Sequence, residues 1–149
     1  MNTKISVEDF LAQKTLAVVG VSRSGKKFGN TIFKDLKSKG FKIFGVNPNI
    51  DENEGEIYKS LESIPDTVEG VIVVVPPAET EKVVKDAADA GIKHVWLQQG
   101  AESETAVKFC KDNDINVISG ECVLMFAEPT GFPHRLHRGI WRILGKLPK

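Results

Sequence analysis

Residues 16–26, LAVVGVSRSGK, carry the reading that decides the fold. An apolar, β-branched run stops at Gly20, and the residues after it are small, polar and basic. The pattern predicts a buried parallel strand from Leu16 to Val21, a tight turn, and a helix starting near Phe28 whose free backbone N–H groups point back at the turn. A turn of this kind holds phosphate. The helix start favours an anion, and Arg23, Lys26 and Lys27 add positive charge around it.

Working outward, strand-like and helix-like segments alternate. Ser6 with Asp9 three residues on has the form of a capping box opening a helix from Val7 to Lys14. Phe28, Ile32, Phe33 and Leu36 stand at helical spacing in a segment that runs to Lys39 and stops at Gly40. A second strand is predicted from Phe41 to Val46, broken by Asn47, Pro48 and Asn49. A polar stretch with Gly55 and Tyr58 comes next, then a turn of helix around Ser60 to Ile64. Gly70 to Val75 is apolar on both faces, as a central parallel strand should be, and Pro76 and Pro77 end it. Glu79 to Ala90 reads as helix, Ile92 to Leu97 as strand, Ser103 to Asn113 as helix and Ile115 to Ser119 as strand. Five strands with helical crossovers imply a doubly wound, Rossmann-like α/β domain with a parallel five-stranded sheet over residues 1–125. Residues 126–149 form a basic amphipathic tail.

Composition bounds the function. The 149 residues are 41% hydrophobic and 27% charged, ordinary for one globular domain. Twenty basic residues balance twenty acidic ones, which argues against a dedicated nucleic-acid binder. The balance is uneven: from His134 onward Arg135, Arg138, Arg142, Lys146 and Lys149 meet no acid. Leu136, Ile140, Trp141 and Leu144 supply that tail with an apolar stripe, and packing on its own domain, on a second copy or on a protein partner is favoured over membrane-surface binding and over contact with an acidic ligand or nucleic acid. No apolar run approaches the roughly 18 residues of a membrane span, and the start of the chain lacks an apolar signal core. Two cysteines, Cys110 and Cys122, make no disulfide framework or metal knuckle by spacing. The expectation is a cytoplasmic protein.

In a doubly wound sheet, ligands bind at the carboxyl ends of the strands, where strand order reverses. The predicted ends are Gly20 to Lys27, Asn47 to Asn49, Val75 to Pro77, Gln98 to Gly100 and Gly120 to Cys122. The first of these nearly spells a phosphate loop of the GxxxxGK[ST] type, but Lys27 stands where a hydroxyl must hold magnesium. The dinucleotide pattern GxGxxG fails as well, because Ser22 occupies its second glycine. An NAD site further wants a carboxylate at the end of the second strand, and Val46, Asn47 and Pro48 offer none. A neutral amide there tolerates a phosphorylated ribose. Coenzyme A and NADP both qualify.

The combination VVGVSRSGKKFGN, VNPN, VVVPP, HVWLQQGAESE and ISGECVLM resembles the small stand-alone CoA-binding proteins. These are similar to the CoA-binding domain of the succinyl-CoA synthetase alpha subunit and to its counterpart in ADP-forming acyl-CoA synthetases. The resemblance covers about residues 5 to 125 and places one motif at each strand end. It implies that Ser22, Arg23, Ser24 and Gly25 wrap the CoA phosphates, that Asn47 and Pro48 lie near the adenosine end, and that Leu97, Gln98 and Gln99 line the ligand cleft. The synthetases carry a lysine two residues after the proline of the second strand, where this sequence has Ile50. Arg23, Lys26 or Lys27 would then supply the charge. The phosphorylated histidine and ATP-grasp parts of the synthetases are absent, so ligase activity does not carry over.

No catalytic constellation emerges. His94 precedes a strand, His134 and His137 fall in the tail, and no spacing pairs any of them with an acid. Cys110 reads as a small buried hydrophobe, whereas Cys122 comes after the last strand at the mouth of the cleft, where thiol exchange with CoA is chemically reasonable. The sequence therefore reads as a binding protein for coenzyme A or an acyl-CoA, its candidate contacts being Gly20, Ser22 to Lys27, Asn47, Pro48, Val75 to Pro77, Leu97 to Gly100 and Cys122. The alternatives are an NADP-dependent enzyme and a CoA-sensing regulatory or scaffold protein that acts through its tail.

Overall fold

The computed structural model describes residues 3–22, 27–50 and 55–127. Helix α1 spans Lys4–Leu11 and is followed by β1, Thr15–Val19. Then come α2 (Phe28–Ser38), β2 (Lys42–Val46), β3 (Ile57–Tyr58) and β4 (Gly70–Val73). The remaining elements are α3 (Pro77–Asp89), β5 (His94–Gln98), α4 (Glu104–Asp112) and β6 (Asn116–Glu121), closed by a 3₁₀ turn at Val123–Met125. All strand pairs are parallel, in the order β3-β2-β1-β4-β5-β6. This is the doubly wound Rossmann order, and strand order reverses between β1 and β4.

The sheet is buried on both sides, and strict alternation sorts its side chains. Leu16, Val18, Ile43, Ile72, Trp96 and Ile118 face α1, α2 and the 3₁₀ turn. Ala17, Val19, Phe44, Val46, Val71, Val73, Val95 and Leu97 face the other way, toward α3 and α4. Helices on opposite faces result from right-handed crossovers that run outward from β1 in one half and from β4 in the other. Trp96 centres the first layer, edge-on to Phe10 at 5.3 Å between ring centroids, with Phe126 beside it at 6.0 Å. Its indole N–H donates to the Glu121 carbonyl at 2.8 Å, which pins the end of β6 to the layer below.

The sheet has one strand more than the five expected. Ile57 and Tyr58 pair with Gly45 and Val46, a two-residue edge strand too short to give an alternating signal. Residues 59–69, where the sequence predicts a turn of helix at Ser60 to Ile64, form no helix but two overlapping turns there, Ser63 N–H donating to the Ser60 carbonyl and Ile64 N–H to that of Leu61. The first helix begins three residues early, because Thr3 and not Ser6 is its cap: Thr3 Oγ1 accepts the Ser6 N–H at 3.0 Å. The fourth strand ends at Val73, and Pro77 opens α3 in place of closing the strand. The tail beyond Ala127, with His134 and His137, lies outside the described residues.

Candidate functional site

Every candidate residue that the structure describes lies at the carboxyl edge of the sheet. At the reversal point Gly20 adopts φ +125°, and a Cβ there would stand 2.1 Å from the Val74 carbonyl oxygen. Only glycine allows the ends of β1 and β4 to approach so closely. The neighbouring strands hold the turn from both sides: Gly20 N–H donates to the Val46 carbonyl at 3.2 Å, and Val74 N–H donates to the Val19 carbonyl at 2.8 Å.

The loop from β1 returns into α2 through two residues that neither glycine motif includes. A Cβ on Gly29 would lie 2.5 Å from the Gly20 carbonyl oxygen, so the first turn of α2 rests directly on the end of β1. Next to it Asn30, only 6% exposed, accepts the Ser22 backbone N–H at 2.8 Å and the Ser22 hydroxyl at 3.2 Å through Oδ1. Its Nδ2 donates to the Ser22 carbonyl at 3.0 Å. The helix-packing glycine that the GxGxxG pattern places five residues after the first stands here nine residues after it, at the end of a longer loop. Neither residue carries a local signal in the sequence, because each is explained only by its partner at the end of β1, Gly20 for Gly29 and Ser22 for Asn30. Arg23, Ser24, Gly25 and Lys26 lie outside the described residues. Lys27, exposed, is the N-cap of α2 and supplies no side-chain cap.

At the end of β2, Asn47 Oδ1 accepts the Asn49 N–H at 2.9 Å, and its own N–H donates to the Tyr58 carbonyl at 2.9 Å. The side chain shapes its own turn, with Pro48 exposed beside it. Beyond β4, Val75 is half-buried, while Pro76 and Pro77 are exposed as cap and first residue of α3. One turn into that helix the buried Thr80 donates from Oγ1 to the Ala101 carbonyl at 2.7 Å, linking the loop after β4 to the loop after β5.

The β5 residues divide. Leu97 is fully buried in the core that faces α3 and α4, whereas Gln99 and Gly100 are exposed, Gly100 at φ +98°. Gln98, 1% exposed, turns inward and accepts the Val123 N–H through Oε1 at 3.0 Å. It therefore fixes the segment after β6. In that strand the register slips, Leu97 lying opposite Ser119 but Gln98 opposite Glu121, with Gly120 between them at φ +83°. The bulge re-aims the chain, and Cys122 emerges half-buried at the edge. Cys110 lies at the opposite extreme: burial pushes its thiol up to about 11.

The other ionisable feature lies at the far edge of the sheet. His94, at the start of β5, sits below its usual pKa because burial disfavours its charge, the Asp9 and Glu69 carboxylates pulling weakly the other way. Glu69 is held below the ordinary carboxylate range by the Lys14 and Thr15 N–H groups it accepts, at 2.8 and 3.1 Å. This cluster braces the amino edge and stands apart from the candidate site. Among the described residues there is no group of three or more His, Cys, Asp or Glu that could hold a metal ion. No described helix is long and apolar enough to cross a membrane.

A parallel sheet in this order, with a glycine-opened loop at its reversal point, defines a Rossmann-type domain. Comparison with known proteins takes the assignment further: residues 14–128 match the family described as CoA binding domain, and the chain belongs to that family. It is 37% identical over 105 residues to acetate–CoA ligase (ADP-forming) II of Archaeoglobus fulgidus, an alignment covering 68% of this chain and 16% of the ligase. An uncharacterized protein of Bacillus subtilis is 28% identical over 123 residues, 81% of this chain and 91% of that one. Among solved structures, a hypothetical protein of Pyrococcus horikoshii superposes with a TM-score of 0.75 at 29% identity, covering 83% of this chain and 88% of the other. The chain thus spans a small part of the ligase and nearly all of the small bacterial protein.

Proposed function

We propose that this chain binds coenzyme A, free or acylated, at the carboxyl edge of the sheet, and that binding is its role, with no chemistry of its own. The observation that carries the reading is the anchored loop between β1 and α2. Gly20 opens it at the reversal point, Gly29 seats the helix start against β1, and Asn30 ties Ser22 to that helix. Family membership supplies the ligand class. In this reading the pyrophosphate lies over the loop against the start of α2, where dipole and free N–H groups favour an anion. The nucleoside end lies toward Asn47 and Pro48, whose lack of a carboxylate tolerates a ribose phosphate. The acyl or thiol end runs along the edge toward Gln99, Gly100 and Cys122.

Arg23 is the expected main charge contact, since a guanidinium can grip two phosphate oxygens at once whereas Lys26 and Lys27 act as point charges. Arg23→Ala should weaken CoA binding by about 1.5 to 3 kcal/mol, roughly ten- to a hundredfold, with the fold intact by circular dichroism. Calorimetric titration with CoA, dephospho-CoA, NADP and ATP tests the reading as a whole. CoA should bind tightest and dephospho-CoA more weakly. Tighter binding of NADP or ATP would overturn the proposal, and equal affinity for CoA and dephospho-CoA would remove the ribose-phosphate contact alone.

A further inference from the structure

We infer that Asn30 is the positioning residue of the ligand site: its side-chain amide locks Ser22 to the start of α2, so that Ser22 and Lys27 stand in fixed relation to the helix N-terminus before CoA arrives. The inference rests on the CoA reading. Burying an amide costs free energy unless its polar atoms are paired, so a nearly buried asparagine on a helix needs a reason. Here the reason is a single partner. Oδ1 takes the Ser22 N–H and the Ser22 hydroxyl, and Nδ2 donates to the Ser22 carbonyl. One side chain thus engages three polar groups of one residue, eight positions earlier in the chain. With the Ser22 N–H and C=O both joined to Asn30, residue 22 is fixed in position and orientation relative to α2.

The neighbouring contacts make the lock rigid at both ends. Asn30 cannot drift, because Gly29 rests on the Gly20 carbonyl and Ile32 is buried in the core one half-turn on. Asn30 N–H also donates to the Lys27 carbonyl at 3.0 Å, which holds the residue at which the loop rejoins the helix. Residues 22 and 27, the two flanks of the loop, are therefore tied to the same asparagine. A protein whose binding-competent form is only a fraction of its population binds more weakly by that fraction, and the loss falls on association when the competent form must be awaited. Removing the lock should therefore lower affinity without removing any contact to the ligand.

The test compares wild type with Asn30→Ala for CoA binding, by calorimetry and by association and dissociation rates on immobilised protein. The expectation is about a tenfold or greater loss of affinity, carried mainly by slower association, with faster hydrogen exchange confined to the Ser22 amide and its neighbours. Should Asn30→Ala lose its fold by circular dichroism, Asn30→Ser carries the same expectation, since the shorter serine side chain, with one polar atom where the amide has two, does not span the Ser22 N–H and C=O as Oδ1 and Nδ2 do. Unchanged affinity in a variant with loosened Ser22 exchange would reduce Asn30 to a purely structural residue and overturn the inference. A loss carried by faster dissociation would overturn it too, in favour of a direct ligand contact. Absence of CoA binding by the wild type would instead overturn the reading beneath it, an outcome separate from the other two.

Discussion

A methyl group added to Gly29 would meet the Gly20 carbonyl oxygen at 2.5 Å, backbone against backbone, with no flexible side chain to yield. Alanine is otherwise favoured over glycine in a helix by up to about 1 kcal/mol, but overpacking of this kind costs about 1 to 3 kcal/mol. Gly29→Ala should therefore lower stability, and a urea midpoint at or above the wild-type value would refute the close packing of α2 on β1. The two thiols offer a second residue-scale contrast. With its thiol pushed up to about 11 and no exposed surface, Cys110 should stay inert in the folded protein, while the half-buried Cys122 reacts. Titration with an aromatic disulfide at pH 8 should show one fast thiol and a second only after denaturant, and peptide mapping that put the fast label on Cys110 would reject this order. Gly20 was legible in the sequence because it ends an apolar run. Gly29 and Asn30 were not, because their purpose is a contact with residues nine and eight positions away, visible only once the loop has closed on itself.

At the scale of elements, the loops of the carboxyl edge are tied to one another by buried side chains. Thr80 on α3 holds the Ala101 carbonyl, and Gln98 on β5 holds the Val123 N–H. Thr80→Val keeps most of the volume but leaves that carbonyl without its donor, a loss of about 1 to 3 kcal/mol. Thermal unfolding should register it as a lower midpoint, and hydrogen exchange should rise first around residues 99–103; an unaltered midpoint would mean that the tie contributes nothing. The alternation of the elements was legible because strands buried on both faces read as apolar runs and the helices carry clear apolar stripes. Two details were hidden. An edge strand of two residues has no period to read, and the β6 bulge at Gly120 is set by pairing with β5, not by local preference. At the end of β5 the sequence places the strand end, while which of its side chains turn inward depends on strand register; Leu97 and Gln98 are both buried.

For the molecule as a whole, the two edges of the sheet have different physics. The carboxyl edge is rich in glycines, prolines and neutral amides, whereas the amino edge holds His94 and Glu69, two groups whose ionisation is coupled to folding. His94 is lowered in the folded state, so the unfolded chain, with its ordinary value of 6.5, takes up a proton that the fold resists. Its contribution is fully present above about pH 6.5 and is lost as pH falls through the lower folded value. Glu69 is lowered as well, by the backbone N–H groups of Lys14 and Thr15, so its contribution is present above the ordinary value of 4.5 and lost as pH falls below that. Both groups thus act in the same direction, in two successive windows on the acid side. The Glu69 part is the smaller, since that carboxylate is exposed and screened. Urea midpoints of the wild type should decline from pH 7.5 to 5 and again below 4.5. His94→Asn, which removes the titrating ring, should flatten the upper window and leave the lower one, while Glu69→Gln, which keeps an acceptor for both N–H groups, should make only the lower one shallower, since Glu81, lowered by its bond from Lys85, also acts there. If His94→Asn declined between pH 7.5 and 5 as steeply as the wild type, the upper window would belong to other groups and His94 would lose its part in the acid response.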